Sequence, residues 1–278
     1  SLSSYYSTDF VSSGQSHTCA ILDDGSLKCW GKNDYGQLGI GSQTTTQTTP
    51  QFVDLGVGRT AVSVSTGEYH TCAILDDGSL KCWGYGFEGQ LGIGSLATQT
   101  TPQKVDLGTG RTAISVSLGG YHTCVVLDNG NLKCWGKNTR GQLGLGNQLG
   151  GYVSPQTVWD NYETPAYGPM SVVSISTGLS HTCAILDDGR LKCWGDNSKG
   201  QLGLGNQSSS NKPIHDSINL GTGRTAVSVS LGDYHTCAIL DDGSLKCWGV
   251  NEYGQIGIGT TGSFWSGYIL TPQTVDLG

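Results

Sequence analysis

The sequence predicts an all-β fold, a β-propeller of five four-stranded blades, and three observations predict it. A fifteen-residue segment, HTCAILDDGSLKCWG at 17–31, returns with few changes at 70–84, 122–136, 181–195 and 235–249. The repeat histidines His17, His70, His122, His181 and His235 stand 53, 52, 59 and 54 residues apart, a period that signals a propeller or a solenoid. The composition holds 44 Gly in 278 residues, one Met and only 13 % charged residues, which suits short strands and tight turns better than helices.

One repeat, read from Gly58 to Gly108, shows the elements in order. TAVSVS at 60–65 alternates as a first strand, and HTCAIL at 70–75 is the second. A DDGS turn leads into LKCWG at 80–84 as the third strand. The glycine-rich GYGFEGQLGIG follows, and TPQKVDL at 101–107 supplies the fourth. Four short strands per fifty residues is the pattern of a propeller blade. The repeats run roughly over 1–56, 57–108, 109–165, 166–221 and 222–278 of a single domain, with residues 1–10 as a tail. The chain opens before a first strand and stops after a fourth, an arrangement that suits a closed ring more than an open arc. It begins at Ser1 without Met, as expected of a processed mature form or a trimmed one, in which any export signal would be invisible.

The ten cysteines fall in five pairs, Cys19/Cys29, Cys72/Cys82, Cys124/Cys134, Cys183/Cys193 and Cys237/Cys247, each ten residues apart. An even, regular set reads as a disulfide framework of an oxidising compartment. A hairpin turning on Asp23-Asp24-Gly25 through a bulged three-residue loop sets Cys19 opposite Cys29 and Ile21 opposite Leu27. Directly opposed residues lie close enough for a disulfide, worth about 2–3 kcal/mol each. Free thiols are the first alternative. A zinc set of His17, Cys19 and Cys29 is the second, and it lacks a recurring fourth ligand.

The other recurring residues read as architecture. The histidine takes the same strand position in every repeat, which predicts a hydrogen bond to a neighbouring loop backbone rather than catalysis. The Asp-Asp-Gly turns offer too few oxygens for calcium. Trp30, Trp83, Trp135, Trp194 and Trp248 read as packing anchors between blades. No strand–loop–helix context or Lys makes a phosphate loop of GQLGxG.

HTCAILDDGSLKCWGKNDYGQLGIG resembles the repeat of the regulator-of-chromosome-condensation family, whose pattern is His-Ser/Thr, a strand, Asp-Gly, a strand ending Trp-Gly, then Asn-x-x-Gly-Gln-Leu-Gly-x-Gly. The Gly-Gln-Leu-Gly signature stands at Gly36–Gly39, Gly89–Gly92, Gly141–Gly144 and Gly200–Gly203, and with Ile256 for Leu at Gly254–Gly257. The resemblance spans the whole chain and implies a propeller. It departs from the family's best-known members in having five repeats rather than seven. Its cysteine pair is like that of secreted bacterial relatives, some of which act by surface contact alone. The family's histidine is present where cysteines are absent, which speaks against the zinc set.

A net charge of −7 without a basic run argues against nucleic acid as a partner, and no apolar stretch is long enough for a membrane span. No catalytic, cofactor-binding or metal constellation stands apart from the repeat, so an enzyme is not expected. Function is instead expected where repeats differ. The partner-binding candidates are Tyr5 and Tyr6 in the tail, Trp159, Tyr162 and Tyr167 in the third repeat, and Phe264, Trp265 and Tyr268 in the fifth. Folding back to cap the ring is their alternative role. Asn206-Gln207-Ser208 is a glycosylation sequon. The expected function is a non-catalytic scaffold, extracellular or at the cell surface, that binds a protein partner or assembles with copies of itself into a coat or filament. The alternative is a secreted binding module, such as a protein inhibitor or a lectin for glycans.

Overall fold

The computed structural model describes residues 10–43, 46–158, 171–213, 218–262 and 267–278. These form nineteen strands in five antiparallel sheets, and no helix occurs among the described residues. The first sheet holds β1 (Val11–Ser13), β2 (His17–Ile21), β3 (Leu27–Gly31) and β4 (Gln47–Phe52). The second holds β5 (Ala61–Thr66), β6 (His70–Leu75), β7 (Leu80–Gly84) and β8 (Gln99–Lys104). In the third are β9 (Ala113–Leu118), β10 (His122–Leu127), β11 (Leu132–Gly136) and β12 (Tyr152–Thr157). The fourth has β13 (Val172–Thr177), β14 (His181–Leu186) and β15 (Leu191–Gly195). The fifth has β16 (Ala226–Leu231), β17 (His235–Leu240), β18 (Leu245–Gly249) and β19 (Ile269–Val275). Strand order in every sheet follows the chain, the meander of a propeller blade.

The hairpin register is the predicted one. Cys19 pairs with Cys29 and Ile21 with Leu27, and Gly25 closes the loop at φ +77° with its N–H on Leu22 O at 2.8 Å. Asp24 Oδ1 accepts from Ser26 N at 2.9 Å and stabilises the turn, which is where that carboxylate's bonding goes. The same register sets Cys72 opposite Cys82, Cys124 opposite Cys134, Cys183 opposite Cys193 and Cys237 opposite Cys247.

The fourth strand departs from expectation in two ways. In the second repeat it spans Gln99–Lys104 rather than 101–107, because Gly84 pairs with Gln99 and draws the strand two residues earlier. In the fourth repeat the expectation of four strands is corrected to three among the described residues. Cys29, Cys82, Cys134 and Cys247 each pair on their outer side with a glutamine, namely Gln51, Gln103, Gln156 and Gln273. Cys193 is the exception and pairs only with Cys183 among the described residues. Its outer neighbour would be Ile214, the residue after Pro213, which lies outside them. Among the described residues an isolated bridge joins Gly195 to Ser210 on that side.

Pairing with a fourth strand requires a bulge. Register shifts between Cys82 and Gly84, and likewise between Cys29 and Gly31, Cys134 and Gly136, and Cys247 and Gly249. The tryptophan is the residue skipped, so its side chain is aimed away from its own sheet's ladder.

The chain divides into two compact units. One comprises the chain up to Asn138 together with Gly150–Thr157, and the other comprises Thr139–Leu149 and the chain from Val158. In both, the cores lie between consecutive repeats rather than inside one. In the first unit Cys19, Ile21, Leu27 and Leu38 of the first repeat pack against Ala61, Val64, Leu75 and Trp83 of the second. Cys72, Ile74, Leu80 and Leu91 pack in the same way against Ala113, Val116, Leu127 and Trp135. In the second unit Cys183, Cys193, Ile185, Leu191 and Leu202 meet Ala226, Val229, Leu240 and Trp248. Each sheet therefore has a forward face, carrying the cysteines, and a backward face, carrying the tryptophan. A short apolar strip on each becomes a continuous core only by stacking.

Candidate functional site

The recurring polar residues meet at these boundaries. Trp83 is fully buried and its Nε1–H donates to the backbone carbonyl of Gln37, 3.0 Å away in the preceding repeat. Thr71 Oγ1 donates to that same carbonyl at 2.8 Å, and His17 Nε2 lies 2.8 Å from Thr71 Oγ1. The triad repeats. Gln90 O receives Trp135 and Thr123, each at 2.9 Å, and Gln201 O receives Trp248 and Thr236 at the same distance. Gln142 O receives Trp194 at 3.0 Å and Thr182 at 2.9 Å. The histidine thus bonds a hydroxyl of the next repeat, not a loop backbone as the sequence suggested. It reaches the loop carbonyl through that hydroxyl.

The loop carrying the carbonyl is braced from within. Asn33 Oδ1 accepts from Leu38 N at 3.1 Å and its Nδ2 donates to Ser42 O at 2.9 Å, while Gln37 Oε1 accepts from Tyr35 N at 2.9 Å. Gly39 sits at φ +73°, and a Cβ there would stand 2.6 Å from Trp83 Nε1. Only glycine lets the indole reach the carbonyl.

Burial fixes the protonation of the histidines. Desolvation pushes His17 down to about 4 and His70 and His122 to about 3, the last two being fully buried. They are neutral hydrogen-bonding groups. All ten cysteines are joined as disulfides, Cys19–Cys29, Cys72–Cys82, Cys124–Cys134, Cys183–Cys193 and Cys237–Cys247, with Cα atoms 4.1–4.2 Å apart. The Cys183–Cys193 bridge has the same hairpin geometry as the other four. No sulfur is left as a nucleophile or as a zinc ligand. Among the described residues, no group of three or more His, Cys, Asp or Glu side chains is placed to hold a metal.

With the repeated residues committed to architecture, the surface stands out in one place in the first unit. Five aromatic rings converge there: Tyr35, Tyr69, Tyr85, Phe87 and Tyr121. Centroids lie 5.2 Å apart for Tyr35–Tyr69, 5.0 Å for Tyr35–Tyr85, 5.9 Å for Tyr69–Tyr121 and 5.3 Å for Tyr85–Phe87, mostly edge to face. The strand register builds the cluster. His70 pairs with Gly84, so Tyr69 and Tyr85 flank the pair, and Tyr85 N donates to Tyr69 O at 2.9 Å. The tyrosines are half-buried and Phe87 is 62 % exposed. Lys137 Nζ stands 5.1 Å over the Tyr121 ring and 3.4 Å from Glu88, and Lys32 Nζ lies 5.9 Å over Tyr69. A hydrogen bond with Glu68 and then burial push the Tyr69 phenol up, whereas burial leads the rise for Tyr85 and Tyr121. All three stay protonated donors at neutral pH. Rigid rings with polar tips, rimmed by both signs of charge, are the composition of a contact surface.

Of the predicted contact residues, Tyr5, Tyr6, Trp159, Tyr162, Tyr167, Phe264 and Trp265 lie outside the described residues. Tyr268 is half-buried in the second unit, its hydroxyl bonded to Lys199 Nζ and its ring 4.5 Å below that nitrogen. It lies in a different unit from the aromatic cluster. Asn206 is exposed, with Oδ1 accepting from Ser208 N at 2.8 Å. The cluster itself escaped sequence reading because its members sit inside the repeats. A signal was present: Tyr69, Tyr121 and Tyr234 each precede the repeat histidine, where Ser16 and Ser180 stand in the other two repeats.

Comparison with known proteins agrees with this architecture. The ultraviolet-B receptor UVR8 of Arabidopsis thaliana is 33 % identical over 249 residues, covering 90 % of this chain and 54 % of the receptor. The chain thus spans about half the length of that relative. Human WBSCR16 superposes with a TM-score of 0.81 at 23 % identity, over 96 % of this chain and 66 % of that one. Yeast RCC1 (Prp20), in its complex with Kap60, gives 0.79 at 20 % identity, over 96 % and 63 %. At these identities the two structures speak to the fold alone, a β-propeller. The RCC1-like domain model matches residues 4–277, so the chain belongs to the RCC1-like family.

Proposed function

We propose that this protein is a non-catalytic extracellular scaffold, residues 1–278 acting as one propeller that holds a protein partner or copies of itself by surface contact. One observation carries the reading. The recurring His, Thr and Trp side chains are spent on joints between repeats and the Cys on a bridge within each hairpin, while residues that vary gather into the Tyr35–Tyr69–Tyr85–Phe87–Tyr121 platform. The five disulfides support an oxidising compartment and hence an extracellular or cell-surface location.

Substituting Tyr85→Ser together with Phe87→Ser tests the platform. The double variant should keep its fold, read by near-ultraviolet circular dichroism, and lose retention on its native surface or assembly. Fractionation with thiol alkylation tests the compartment. Ten unreactive cysteines in the extracellular fraction are expected, and ten alkylated thiols inside cells would sink the reading.

The platform also favours a second reading, a secreted lectin, because half-buried tyrosines beside lysines offer stacking faces and hydrogen bonds to a sugar. Glycan-array binding lost in the same double variant would select it. Asn206, exposed and followed by Gln207 and Ser208, is the proposed glycan carrier. A single glycan mass removed by Asn206→Gln is the expected result.

A further inference from the structure

The joint between repeats is a two-sided device, and among the described residues one copy of each half stands without a partner. The forward face offers acceptors: the turn glycine's carbonyl, the GQLG loop carbonyl and the histidine. Gly25 O accepts from Ala61 N at 2.8 Å, Gly78 O from Ala113 N at 2.9 Å and Gly189 O from Ala226 N at 2.9 Å. The backward face offers the matching threonine and tryptophan donors and an apolar strip.

In the fifth repeat the forward face is bare. Gly243 has nothing within 4 Å of its would-be Cβ, where Gly25, Gly78 and Gly189 each meet a threonine of the following repeat. Ile239 is 44 % exposed, although Ile74 and Ile185 at the same position are buried. Among the described residues, the Gln255 carbonyl receives no hydrogen bond and His235 Nε2 has no threonine. A cleft of about 520 Å³ opens instead, lined by Tyr234, His235, Val250, Tyr253 and Gln255.

In the first repeat the backward face is bare. Val11 is 62 % exposed, while Val64, Val116 and Val229 at its position are 0 %, 6 % and 9 % exposed. Trp30 is only half-buried and Thr18 likewise, where their counterparts Trp83 and Thr71 are sealed. Among the described residues Trp30 Nε1 donates to no acceptor.

We propose that the forward face of the fifth repeat receives the backward face of the first repeat of a second copy of this chain, head to tail. The inference rests on the scaffold reading and gives it an occupant. The bare loop carbonyl, histidine and isoleucine of one face have counterparts on the other. Gln255 O faces the donors Trp30 Nε1 and Thr18 Oγ1, His235 Nε2 faces Thr18, and Ile239 faces Val11. The chemistry is that of the four joints already made within the units, so the surface continues an interface the molecule uses repeatedly. Different patches meet in such a contact, so it is heterologous: it propagates into a filament or closes into a ring of copies.

Sedimentation equilibrium of the 278-residue chain over a hundredfold concentration range tests this. The wild type should show a mass above the monomer that rises with concentration. Val11→Arg spoils only the backward face and Ile239→Arg only the forward one. Both positions are exposed, so both variants should fold and sediment as monomers. Mixed in equal amounts they should form a 1:1 dimer, because each retains the face the other has lost. Thr18→Arg and Tyr253→Asp form a second pair should either of the first lose its near-ultraviolet signature. A wild type that stays monomeric at every concentration, including one whose own faces close on each other, overturns the proposal. So does a mixture that stays monomeric, or variants that assemble like the wild type. A monomer that still loses surface retention through Tyr85→Ser and Phe87→Ser overturns the head-to-tail docking alone and leaves the scaffold reading standing.

Discussion

Trp30 and Trp83 occupy the same place in the same motif, LKCWG, at the same bulge of the third strand. Trp83 is sealed and bonded to Gln37 O, whereas Trp30 is half-exposed and bonded to nothing among the described residues. Trp83 has the loop of the preceding repeat against it, and among the described residues Trp30 has no such loop. A repeat in this protein does not complete itself, and burial, hydrogen bonding and protonation are properties of the boundary.

The largest expected effect that would break this comparison is on stability. Trp83→Ala removes a buried indole and one of the two donors to the Gln37 carbonyl, and should cost about 3–5 kcal/mol in urea unfolding with the disulfides intact. Trp30→Ala should cost less than half as much. Equal losses would mean that the indole packs mainly within its own sheet.

Acid sharpens the comparison next. His17, His70 and His122 are held well below their ordinary value of 6.5, so the unfolded chain binds protons that the folded one refuses. Their stabilising share is complete above about pH 6.5 and is lost as pH falls toward 4, at about 1.4 kcal/mol per pH unit for each. His235, which bonds no threonine among the described residues, is lowered by burial against the opposing Asp233 charge. His70→Gln should flatten the pH dependence measurably, and His235→Gln should flatten it less.

The smallest effect compares Gly25 with Gly243, at φ +77° and +80° in equivalent turns. An added Cβ at Gly25 would stand 2.6 Å from Thr60 Cβ, while at Gly243 it meets nothing. Gly243→Ala should show the backbone term alone, about 1 kcal/mol, and Gly25→Ala that term plus the clash, about 2 kcal/mol in all. Matching values would show that Thr60 moves aside freely.

Much of this was legible in the residues. The turn glycine and the cysteine spacing determine the hairpin register without help from the rest of the fold, so Cys19 opposite Cys29 could be read directly. Cys183 opposite Cys193 follows the same spacing and the same turn. The fourth strand was displaced because its start depends on the bulge at Trp83, which sequence periodicity does not reveal. The partner of His17 was half-read: its role as a bridge was visible, but Thr71 lies 54 residues on, and only stacking brings it near. The aromatic platform was not read because Tyr35, Tyr69 and Tyr85 come from three different strand ends and loops. Attention went instead to unshared loops such as that of Trp159, which lies outside the described residues.

The double acceptance at Gln37 has a consequence for synthesis. Its two donors, Thr71 and Trp83, follow it by 34 and 46 residues. During translation the GQLG loop of each repeat therefore emerges with its carbonyl bare and waits for most of another repeat to be made. Assembly on the ribosome is ratcheted from the N-terminus, each new hairpin locking the loop behind it.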